Sequence, residues 1–548
     1  MYKFIQFIFA HINYLKKHIL RFDLCNVFMV KNLKSFFNVG IDLINMFERQ
    51  KNDSKIEEIA KRRGFFWQSS EIYGGLSGFY DYAHLGAAIK KKWENLWRGY
   101  FLGLDDNFYE IDCSNIMPEG VFKASGHLES FVDPIVKCKK CGNIERADQI
   151  IEEILKESFE GLTNSQIDEI IAKHNIRCPK CKGNFENAAT LNMMFPLDIG
   201  TGKITRAYLR PETAQSVYVN FRREFECLRK KLPLGLAIIG KAYRNEISPR
   251  NVLLRMREFT QAELQIFFDP EKINEHPDFA SVSNYKLRIK KHDSKTIEEV
   301  SCTNLLNTLP KFYVYYMAKI QQFYLNVLKI DRDKFRFREL SEEERAFYNK
   351  YHWDIELNIS VGWKEVAGIH YRTDHDLAGH QKISSHDQTI SVDGKKIIPH
   401  VLELSFGVDR NIFSLLDFGY KEEEDRVIFK LPRLVGPYDV AVFPLVNKDK
   451  LPEKAIEIKN LLKTMFSVFY DESGSVGRRY RRMDEIGVCC CVTIDNQTLE
   501  DDSVTIRDRD SMKQIRVKID ELCGVIYKFL NGENIEKLGE LISRESKK

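Results

Sequence analysis

The stretch Gly240–Ile266, GKAYRNEISPRNVLLRMREFTQAELQI, carries the densest group of charged side chains that could perform chemistry. Its charged members are Arg244, Glu246, Arg250, Arg255, Arg257, Glu258 and Glu263. Exposed ion pairs stabilise a structural hairpin only weakly, so stability alone does not explain this density. Arginines donate paired hydrogen bonds to phosphate oxygens, and a neighbouring glutamate accepts from an amine. The stretch therefore predicts a site for a nucleotide and a cationic substrate, with a solvated charged hairpin as the alternative.

Two Cys-x-x-Cys pairs, Cys138/Cys141 and Cys178/Cys181, form a second group with recognisable chemistry. Four thiolates with this spacing can complete a tetrahedron around Zn²⁺. All four ligands would come from the protein and leave no open position, so the ion would be structural. The alternatives are four reduced cysteines without a metal and, less favoured in a chain of this size, disulfides.

A third group lies near the C-terminus, where arginines surround a tyrosine in the stretch Arg478–Arg482. Its members are Arg478, Arg479, Tyr480, Arg481 and Arg482. Arginines neutralise RNA phosphates and a tyrosine ring stacks on a base, so this stretch predicts RNA contact. A solvated basic turn is the alternative.

The elements that must position these residues can also be anticipated. Apolar residues before Arg244 and partial alternation after Arg257 predict two antiparallel strands, and the turn-forming composition of Ile247–Leu254 predicts the loop between them. An apolar periodicity predicts a helix from about Leu85 to Phe101, followed by a strand. The stretch PHVLELSFGVDRNIFSLL predicts a strand, a glycine turn and a helix that opens near Arg410.

Length and composition limit the class of protein. A chain of 548 residues exceeds one ordinary core, so two to four domains are expected. An apolar content of 43% and a charged content of 30% are typical of a folded globular protein. A net charge of +4 excludes a bulk polycation but allows a local basic groove.

The segment 1–50 is aromatic, aliphatic and sparsely basic. It contains no apolar run long enough for a membrane span, and no small-residue cleavage site follows a compact apolar core. We expect that Met46, or else Met29, is the true start, and a basic targeting segment is the alternative.

Motif by motif, the chain resembles class II aminoacyl-tRNA synthetases. Arg244, Glu246, Arg255 and Phe259 stand at the positions of motif 2, and the helix and strand before Pro118 resemble motif 1. The sequence RNEISPR followed by REFTQAE resembles the homodimeric glycyl-tRNA synthetase family. The resemblance extends from about Ile56 almost to the C-terminus.

This resemblance implies an α+β fold. It implies a class II antiparallel-sheet catalytic core over 51–436, with a zinc-ribbon-like insertion at about 137–185 and a helical one at about 271–344. An α/β anticodon-binding domain would occupy 437–548. The resemblance further implies a cytoplasmic homodimer without membrane segments, which binds ATP, Mg²⁺, glycine and tRNA(Gly).

The resemblance also assigns site residues. Those implied for ATP are Arg244, Asn245, Glu246, Arg255, Met256, Phe259, Glu365, Val366 and Arg410. Of these, Arg244, Glu246 and Arg410 are implied to be catalytic, and Arg244 and Arg410 would hold the ATP phosphates. Those implied for glycine are Arg146, Glu212, Glu263, Glu403 and Ser405. The family usually has proline where Leu404 stands, so the rigidity of this part of the site is expected to differ.

Two alternatives bear on these assignments. A protein that kept the fold but serves as an RNA-binding or regulatory subunit would be expected to have lost the motif arginines, which this chain retains. His370, His375 and His380 could suggest a metal site, but their spacing favours histidines tucked into a loop.

Overall fold

The computed structural model describes residues 55–155, 162–247, 249, 252–342, 344–345 and 349–542. The expectations for segment 1–50 lie outside the described residues. The architecture below belongs to the compact unit that begins at Ile56. None of the helices in the described ranges is both long and apolar enough to cross a membrane.

A nine-stranded sheet organises the larger part of this unit. Its strands are β1 (Phe108–Glu110), β2 (Leu234–Tyr243), β3 (Glu258–Phe268), β4 (Lys286–Lys290), β5 (Glu298–Ser301), β6 (Phe335–Glu339), β7 (Tyr351–Ile359), β8 (Gly362–Thr373) and β9 (His400–Gly407). Across the sheet the order is β5-β4-β6-β7-β8-β9-β3-β2-β1. Neighbours are antiparallel except β1 with β2 and β4 with β6, which are parallel. The expected antiparallel core is confirmed.

The predicted hairpin is formed by β2 and β3, which pair from Leu234↔Phe267 to Tyr243↔Glu258. Both strands are rich in buried aliphatic side chains, and the loop between them contains the short 3₁₀ turn Val252–Leu254. Pairing of long apolar strands fixes the register, because a slip by one residue would turn every buried side chain outward.

Helices cover both faces of the large sheet. They are α1 (His84–Phe101), α2 (Ala214–Cys227), α3 (Lys311–Gln322), α4 (His375–Ser384) and α5 (Val408–Gly419). In α1, Trp93, Trp97 and Phe101 recur every four residues and are fully buried, and Trp97 and Phe101 both pack on Phe406 of β9. On the opposite face, Phe221 of α2 stacks on Phe267 of β3, with ring centroids 4.1 Å apart. The predicted helices after Leu85 and near Arg410 are confirmed.

The segment 271–344 differs from the sequence expectation. It contains the helix α3, but it also supplies β4, β5 and β6 to the large sheet. The prediction of a helical insertion was therefore wrong. Its lysine-rich composition suggested helix, but packing against the existing sheet edge decided the conformation, since strand propensity depends strongly on context.

The cysteine pairs lie in a separate small module. Its three-stranded sheet comprises Ile144–Arg146, Val132–Lys137 and Ala189–Asn192, and its helices are Ala147–Leu155 and Asn164–Lys173. The module has its own apolar core, which includes Val136, Ile151, Ile167 and Phe185.

Smaller elements complete the first part of the unit. A second three-stranded sheet contains Ile116–Pro118, Thr205–Leu209 and Phe195–Ile199. Two-stranded pairs join Phe66–Gln68 to Tyr80–Tyr82, Ile390–Val392 to Lys395–Ile397, and Tyr420–Glu422 to Val427–Phe429. Short helices are Glu119–Ala124, His127–Ser130 and Cys302–Leu305.

The C-terminal part contains a six-stranded mixed sheet. Its strands are β10 (Val440–Pro444), β11 (Val468–Tyr470), β12 (Cys490–Ile494), β13 (Ser503–Asp508), β14 (Gln514–Lys518) and β15 (Glu540–Leu541), in the order β11-β10-β12-β13-β14-β15. The accompanying helices are α6 (Leu451–Leu462), α7 (Val476–Ile486), Asn496–Asp501 and α8 (Leu522–Leu530). The expected α/β arrangement is confirmed.

Candidate active site

Three adjacent strands, β3, β9 and β8, align polar side chains in two rows on one face of the large sheet. In the first row Glu263 is paired with Ser405, and Ser405 with Gly368. In the second row Gln265 is paired with Glu403, and Glu403 with His370. Residues two apart on a strand share a face, so the register brings both rows to the same side.

The Glu263 carboxylate is buried and held by two hydroxyl groups. Thr213 Oγ1 donates to Glu263 Oε2 at 2.5 Å, and Ser405 Oγ donates to Oε1 at 2.7 Å. Burial, together with the negative charges of Glu403 and Glu212, raises the pKa of Glu263 to about 7. Glu263 is therefore partly protonated near neutral pH, and a bound cation would favour its ionised form.

Arg372 joins the other two predicted carboxylates. Its guanidinium donates to Glu403 Oε2 at 2.9 Å and to Glu212 Oε1 at 3.3 Å, and it also pairs with Asp376 of α4. Burial opposes ionisation of Glu403, but Arg372 and then His370 outweigh it and lower its pKa to about 2. Burial likewise opposes ionisation of Glu212, whereas Arg372 and His127 hold its pKa well below the usual range. Two carboxylates are thus ionised beside a third that titrates near neutrality.

Arginines occupy the other end of the site. The Arg244 guanidinium lies between the rings of Phe131 and Phe259, at 5.3 and 5.2 Å from their centroids, and its Nε donates to the carbonyl of Pro211. The rings and the carbonyl fix the orientation of its remaining N–H groups.

Two further ion pairs complete that end. Arg255 pairs with Glu246 at 2.6 Å, and Arg410 pairs with Glu365 at 3.0 Å. Arg410 is further held by the carbonyl of Leu254, to which its Nε donates at 3.0 Å. These contacts fix the two arginines and leave N–H groups that can bind phosphate oxygens.

One cavity of about 350 Å³ joins the carboxylates to the arginines. The predicted residues that line it are Glu212, Arg244, Glu246, Arg255, Met256, Phe259, Glu263, Glu365, Glu403, Ser405 and Arg410. Asn245, Val366 and Arg146 are described by the structure but do not line the cavity. Val366 is buried, and the backbone N–H of Asn245 donates to the carbonyl of Met193.

Arg146 lies on a strand of the cysteine module and is bound by acidic side chains. It pairs with Asp133 at 3.1 Å and with Asp148 through both Nε and Nη2. In this structure the Arg146 guanidinium binds these two carboxylates and does not reach the cavity.

Sequence reasoning missed several residues that line the cavity. They are Thr260, Gln261, Arg338, His352, Asp354, His370, Arg372 and Asp409. The interpretation of His370 as a tucked loop histidine was wrong, because it lies on β8 and faces the cavity. His375 and His380 lie on α4, and His380 contacts Gln215 at 2.9 Å. The close spacing of Arg372, Asp374 and Asp376 was the sequence feature that could have indicated a buried charge network.

The four predicted cysteines converge. Their Sγ atoms lie within 4.8 Å of one another, with Cys138–Cys181 at 3.4 Å and Cys141–Cys178 at 3.7 Å. Sulfurs around a tetrahedral zinc with Zn–S bonds of about 2.3 Å are separated by roughly 3.8 Å, so the spacing fits this ion. The backbone N–H of Cys141 lowers the pKa of the Cys138 thiol to about 6. For Cys181 the N–H of Gly183 opposes a rise, but the neighbouring sulfurs and burial outweigh it and raise the pKa to about 12.

Gly183 provides a second indication of a compact metal cradle. A Cβ at this position would lie 3.1 Å from Cys138 Sγ and 3.3 Å from Cys181 Sγ, and closer still to the Lys140 side chain. A larger residue would press on the sulfurs. Within the described ranges these cysteines are the group whose ligand atoms are close enough to hold a metal ion, and the three histidines discussed above form no such group.

The C-terminal arginines have unequal environments. Arg479 is buried and donates to the carbonyls of Pro444, Asp471 and Leu445, so its prediction as an RNA contact was wrong. Tyr480 is partly buried and its hydroxyl is within 2.5 Å of Thr493 Oγ1, so stacking of its ring on a base is not supported either. These side chains point inward because they lie on the apolar side of α7, whereas sequence proximity alone had suggested one common surface.

The other three arginines lie nearer the solvent. Arg481 pairs with Asp425 and Arg482 with Asp471. Arg478 is exposed, and among the described residues its guanidinium has no ion pair.

Comparison with known proteins agrees with this geometry. Residues 202–417 match the tRNA synthetase class II core domain (G, H, P, S and T), and residues 439–528 match an anticodon binding domain. A glycine–tRNA ligase of Pyrococcus furiosus is 42% identical, over 85% of this chain and 97% of its own length. One from Methanococcus maripaludis is 39% identical, over 86% of this chain and 98% of its own length.

Solved structures support the fold alone, because their sequences are distant. Prolyl-tRNA synthetase of Giardia lamblia, in complex with prolyl-adenylate, has a TM-score of 0.56 at 14% identity, covering 90% of this chain and 82% of its own. A threonyl-tRNA synthetase structure from Cryptosporidium parvum, described as its RNA binding domain, has a TM-score of 0.54 at 18% identity, covering 89% and 99%. By its fold, its motif geometry and its close relatives, the chain belongs to the glycine–tRNA ligase family of class II aminoacyl-tRNA synthetases.

Proposed function

We propose that this protein activates glycine with ATP and transfers the glycyl group to tRNA(Gly). A glycine carboxylate oxygen attacks the α-phosphorus, the bond to the β-phosphate breaks, and pyrophosphate leaves. A terminal hydroxyl of the tRNA then attacks the glycyl carbonyl carbon, loses its proton and releases AMP. The observation that carries this proposal is a single cavity with three carboxylates at one end and three arginines at the other.

The arginine end suits the phosphates of ATP. Phosphoryl transfer depends on positioning and on neutralisation of charge more than on a protein nucleophile. Arg244, fixed between two aromatic rings, would hold the α-phosphate, and Arg410 would hold the outer phosphates. Arg255 would contact the nucleotide, with its orientation set by Glu246. Mg²⁺, when bound, would neutralise further phosphate charge.

The carboxylate end suits the glycine ammonium group. Glu212, Glu263 and Glu403 supply negative charge within a buried environment, where an ammonium group requires such partners. Ser405 projects beside Glu263 and would lie against the glycine α-carbon. A side chain on the substrate would then collide with the wall, and rejection of alanine requires only that one methyl group has no room.

The four-cysteine cluster would hold a structural zinc ion. Each ligand position belongs to a protein thiolate, so no coordination position remains for substrate. Zinc would stabilise the module that carries Arg146. The Asp133 carboxylate that pairs with Arg146 is near enough to Glu246 to experience its negative charge. The metal would take no part in the chemistry.

We also propose the division into a catalytic domain, 51–436, and an anticodon-binding domain, 437–548. The start of the six-stranded sheet at Val440 supports this boundary. Within the stretch Arg478–Arg482, Arg478 is exposed and Arg481 and Arg482 are partly exposed, so these three would be the ones to reach RNA phosphates. A cytoplasmic homodimer formed through the motif 1 region is the arrangement that the family resemblance favours.

Amino-acid-dependent exchange of pyrophosphate into ATP tests the activation step. We expect exchange with glycine and at least about a hundredfold less with alanine or serine, as expected for one or two excluded groups in a rigid pocket. Exchange with another amino acid would overturn the specificity. No exchange with any amino acid, together with retained tRNA binding, would favour an RNA-binding or regulatory protein.

A further inference from the structure

A pair of histidines, His370 and His352, lies beside Glu403, one of the three carboxylates proposed to bind the substrate. His370 Nδ1 is 2.6 Å from Glu403 Oε1, and His370 Nε2 is 2.9 Å from His352 Nε2. His352 Nε2 is in turn 3.2 Å from Asp354 Oδ1. Both ring systems line the cavity, and only 15% of each side chain is exposed.

The two oxygens of Glu403 have different surroundings. Gln265 Nε2 and Arg372 Nη1 both donate to Oε2, each at 2.9 Å. His370 contacts the other oxygen, Oε1. A carboxylate oxygen has two acceptor directions, so Oε1 can bind His370 and still accept from a substrate ammonium group. The imidazole therefore lies against the oxygen that would accept from the substrate.

The sheet is built to admit this ring. His352 and His370 are directly paired on β7 and β8. Gly368 lies two residues before His370 on β8, and a Cβ at position 368 would lie 2.6 Å from His370 Nε2. Alanine at position 368 would therefore displace the imidazole from its place between Glu403 and His352.

We propose that His370 is a positioning residue for Glu403 and that it carries an exchangeable proton, which the glycine ammonium group displaces when glycine binds. This inference rests on the proposed activation of glycine. It assigns a role to a residue pair that the chemistry of the two steps does not itself require.

The hydrogen-bond network permits two protonation states. In the neutral state His370 Nδ1–H faces Glu403, and His370 Nε2 accepts a hydrogen bond from His352 Nε2–H. In the cationic state His370 carries protons on both nitrogens and donates from Nε2 to His352 Nε2, so the His352 proton lies on Nδ1, a buried atom without a hydrogen-bond partner in the described part of the chain. Burial opposes the cation, but Glu403 more than offsets it and raises the pKa of His370, whereas burial and then His370 lower the pKa of His352. The charge therefore belongs on His370.

The surrounding charges come from every strand and helix that packs around the pair. They are Glu403 of β9, Arg372 of β8, Asp354 of β7, Arg338 of β6, Glu263 of β3, Glu365 of β8, Asp376 of α4, and Glu212. A second cation on Glu403 would repel the imidazolium at close range, because like charges disfavour each other's ionised forms. Glycine therefore binds more tightly when His370 is neutral, and one proton leaves on binding.

The test is glycine-dependent pyrophosphate exchange by the full-length protein at pH 8 and pH 6, with glycine, ATP and labelled pyrophosphate. His370→Ala removes both the donor and the charge, and we expect kcat/KM for glycine to fall about tenfold at pH 8. His370→Asn places an amide donor near Nδ1 but cannot ionise, so we expect it to recover part of that loss. As the pH falls from 8 to 6, KM for glycine should rise about tenfold more in the wild type than in His370→Asn, which corresponds to one unit of pKa coupling. The exposed His386→Asn is the matched control and should follow the wild type throughout.

A second measurement keeps the test decisive if the alanine variant does not fold. Calorimetric titration of glycine with a non-hydrolysable ATP analogue, in two buffers of different ionisation enthalpy, counts the protons released at pH 7. We expect more release from the wild type than from His370→Asn. Equal proton release and parallel pH profiles would overturn the proposal. Absence of any glycine-dependent exchange by the wild type would instead overturn the proposed function.

Discussion

Ser405 and Glu263 face each other across two neighbouring strands, and the Ser405 hydroxyl donates to Glu263 Oε1 at 2.7 Å. Under the proposed function the same hydroxyl would be both a wall of the amino-acid site and a support for one of its carboxylates. Leu404, which stands where the family usually has proline, lies between its strand partners Leu264 and Ile369 and is fully buried. The strand pairing therefore holds Ser405 in place without that proline.

Ser405→Ala should weaken discrimination against alanine. Loss of the hydroxyl frees space beside the α-carbon and removes one donor to Glu263. We expect the ratio of kcat/KM for alanine to that for glycine in pyrophosphate exchange to rise about tenfold, the effect of about one substrate methylene. Ser384→Ala, on the exposed end of α4, is the control and should leave the ratio unchanged. An unchanged ratio in Ser405→Ala would remove this residue from the specificity wall.

The stability of the protein should depend on pH through Glu263. Its pKa is raised from 4.5 in the unfolded reference to about 7 in the fold. The stabilising contribution of its proton is complete below about pH 4.5 and is lost as the pH rises through 7. Glu263→Gln lacks this loss, so from pH 5 to pH 8 its free energy of unfolding should rise relative to wild type by about 1–3 kcal/mol. Chemical denaturation at both pH values measures the difference, with Glu258→Gln on the same strand as control. A constant difference would show that Glu263 ionises normally.

Arg244→Ala should reduce the rate of adenylation by about 10²–10⁴, because a fixed guanidinium is lost where transition-state charge develops. Arg244→Lys should recover little, since an ammonium group lacks the forked donors. Single-turnover formation of glycyl adenylate is the measurement. Arg206→Ala, which breaks an exposed pair with Asp198, is the control. Near-normal rates in either Arg244 variant would exclude it from phosphate binding.

Metal analysis of the purified protein should find about one zinc per chain. Cys178→Ser, or chelation, should unfold the cysteine module locally, because its ligands and its apolar core belong to one small insertion. Limited proteolysis should then cut within 137–185 while the large sheet stays intact. Cys227→Ser, at an exposed free cysteine, should keep the metal and the wild-type digestion pattern. Well under one zinc per chain in protein purified without chelators would count against the site.

Arg478→Ala and Arg479→Ala should have different effects although the two residues are neighbours in sequence. Arg478 is exposed, so its loss should raise KM for tRNA and reduce the salt dependence of binding by about one phosphate contact. Pyrophosphate exchange without tRNA should not change. Arg479→Ala leaves three buried carbonyls without their donor and should destabilise the C-terminal domain by about 2–5 kcal/mol. Thermal unfolding and aminoacylation measured on both variants separate the two roles, and equal effects would contradict the assignment.

The amino-acid sequence by itself determined the family, the hairpin of β2 and β3, the helix α1 and the cysteine pairs. Each depends on local spacing or periodicity, which the chain displays directly: Arg244 and Arg255 bracket a turn-forming loop, and Cys138/Cys141 and Cys178/Cys181 have the spacing of metal knuckles. Such local patterns can be recognised without knowledge of the tertiary contacts.

Only the tertiary structure decided which charges meet and which arginines are buried. Arg372, at an irregularity in the pairing of β8 with β9, joins Glu403 of β9 to Glu212, which lies just before α2, although these residues are far apart in sequence. Arg479 points inward from a helix in which it is one of four closely spaced arginines. Strand pairing and helix orientation are set by burial of apolar surface across the whole fold, and a local charge pattern does not contain that information.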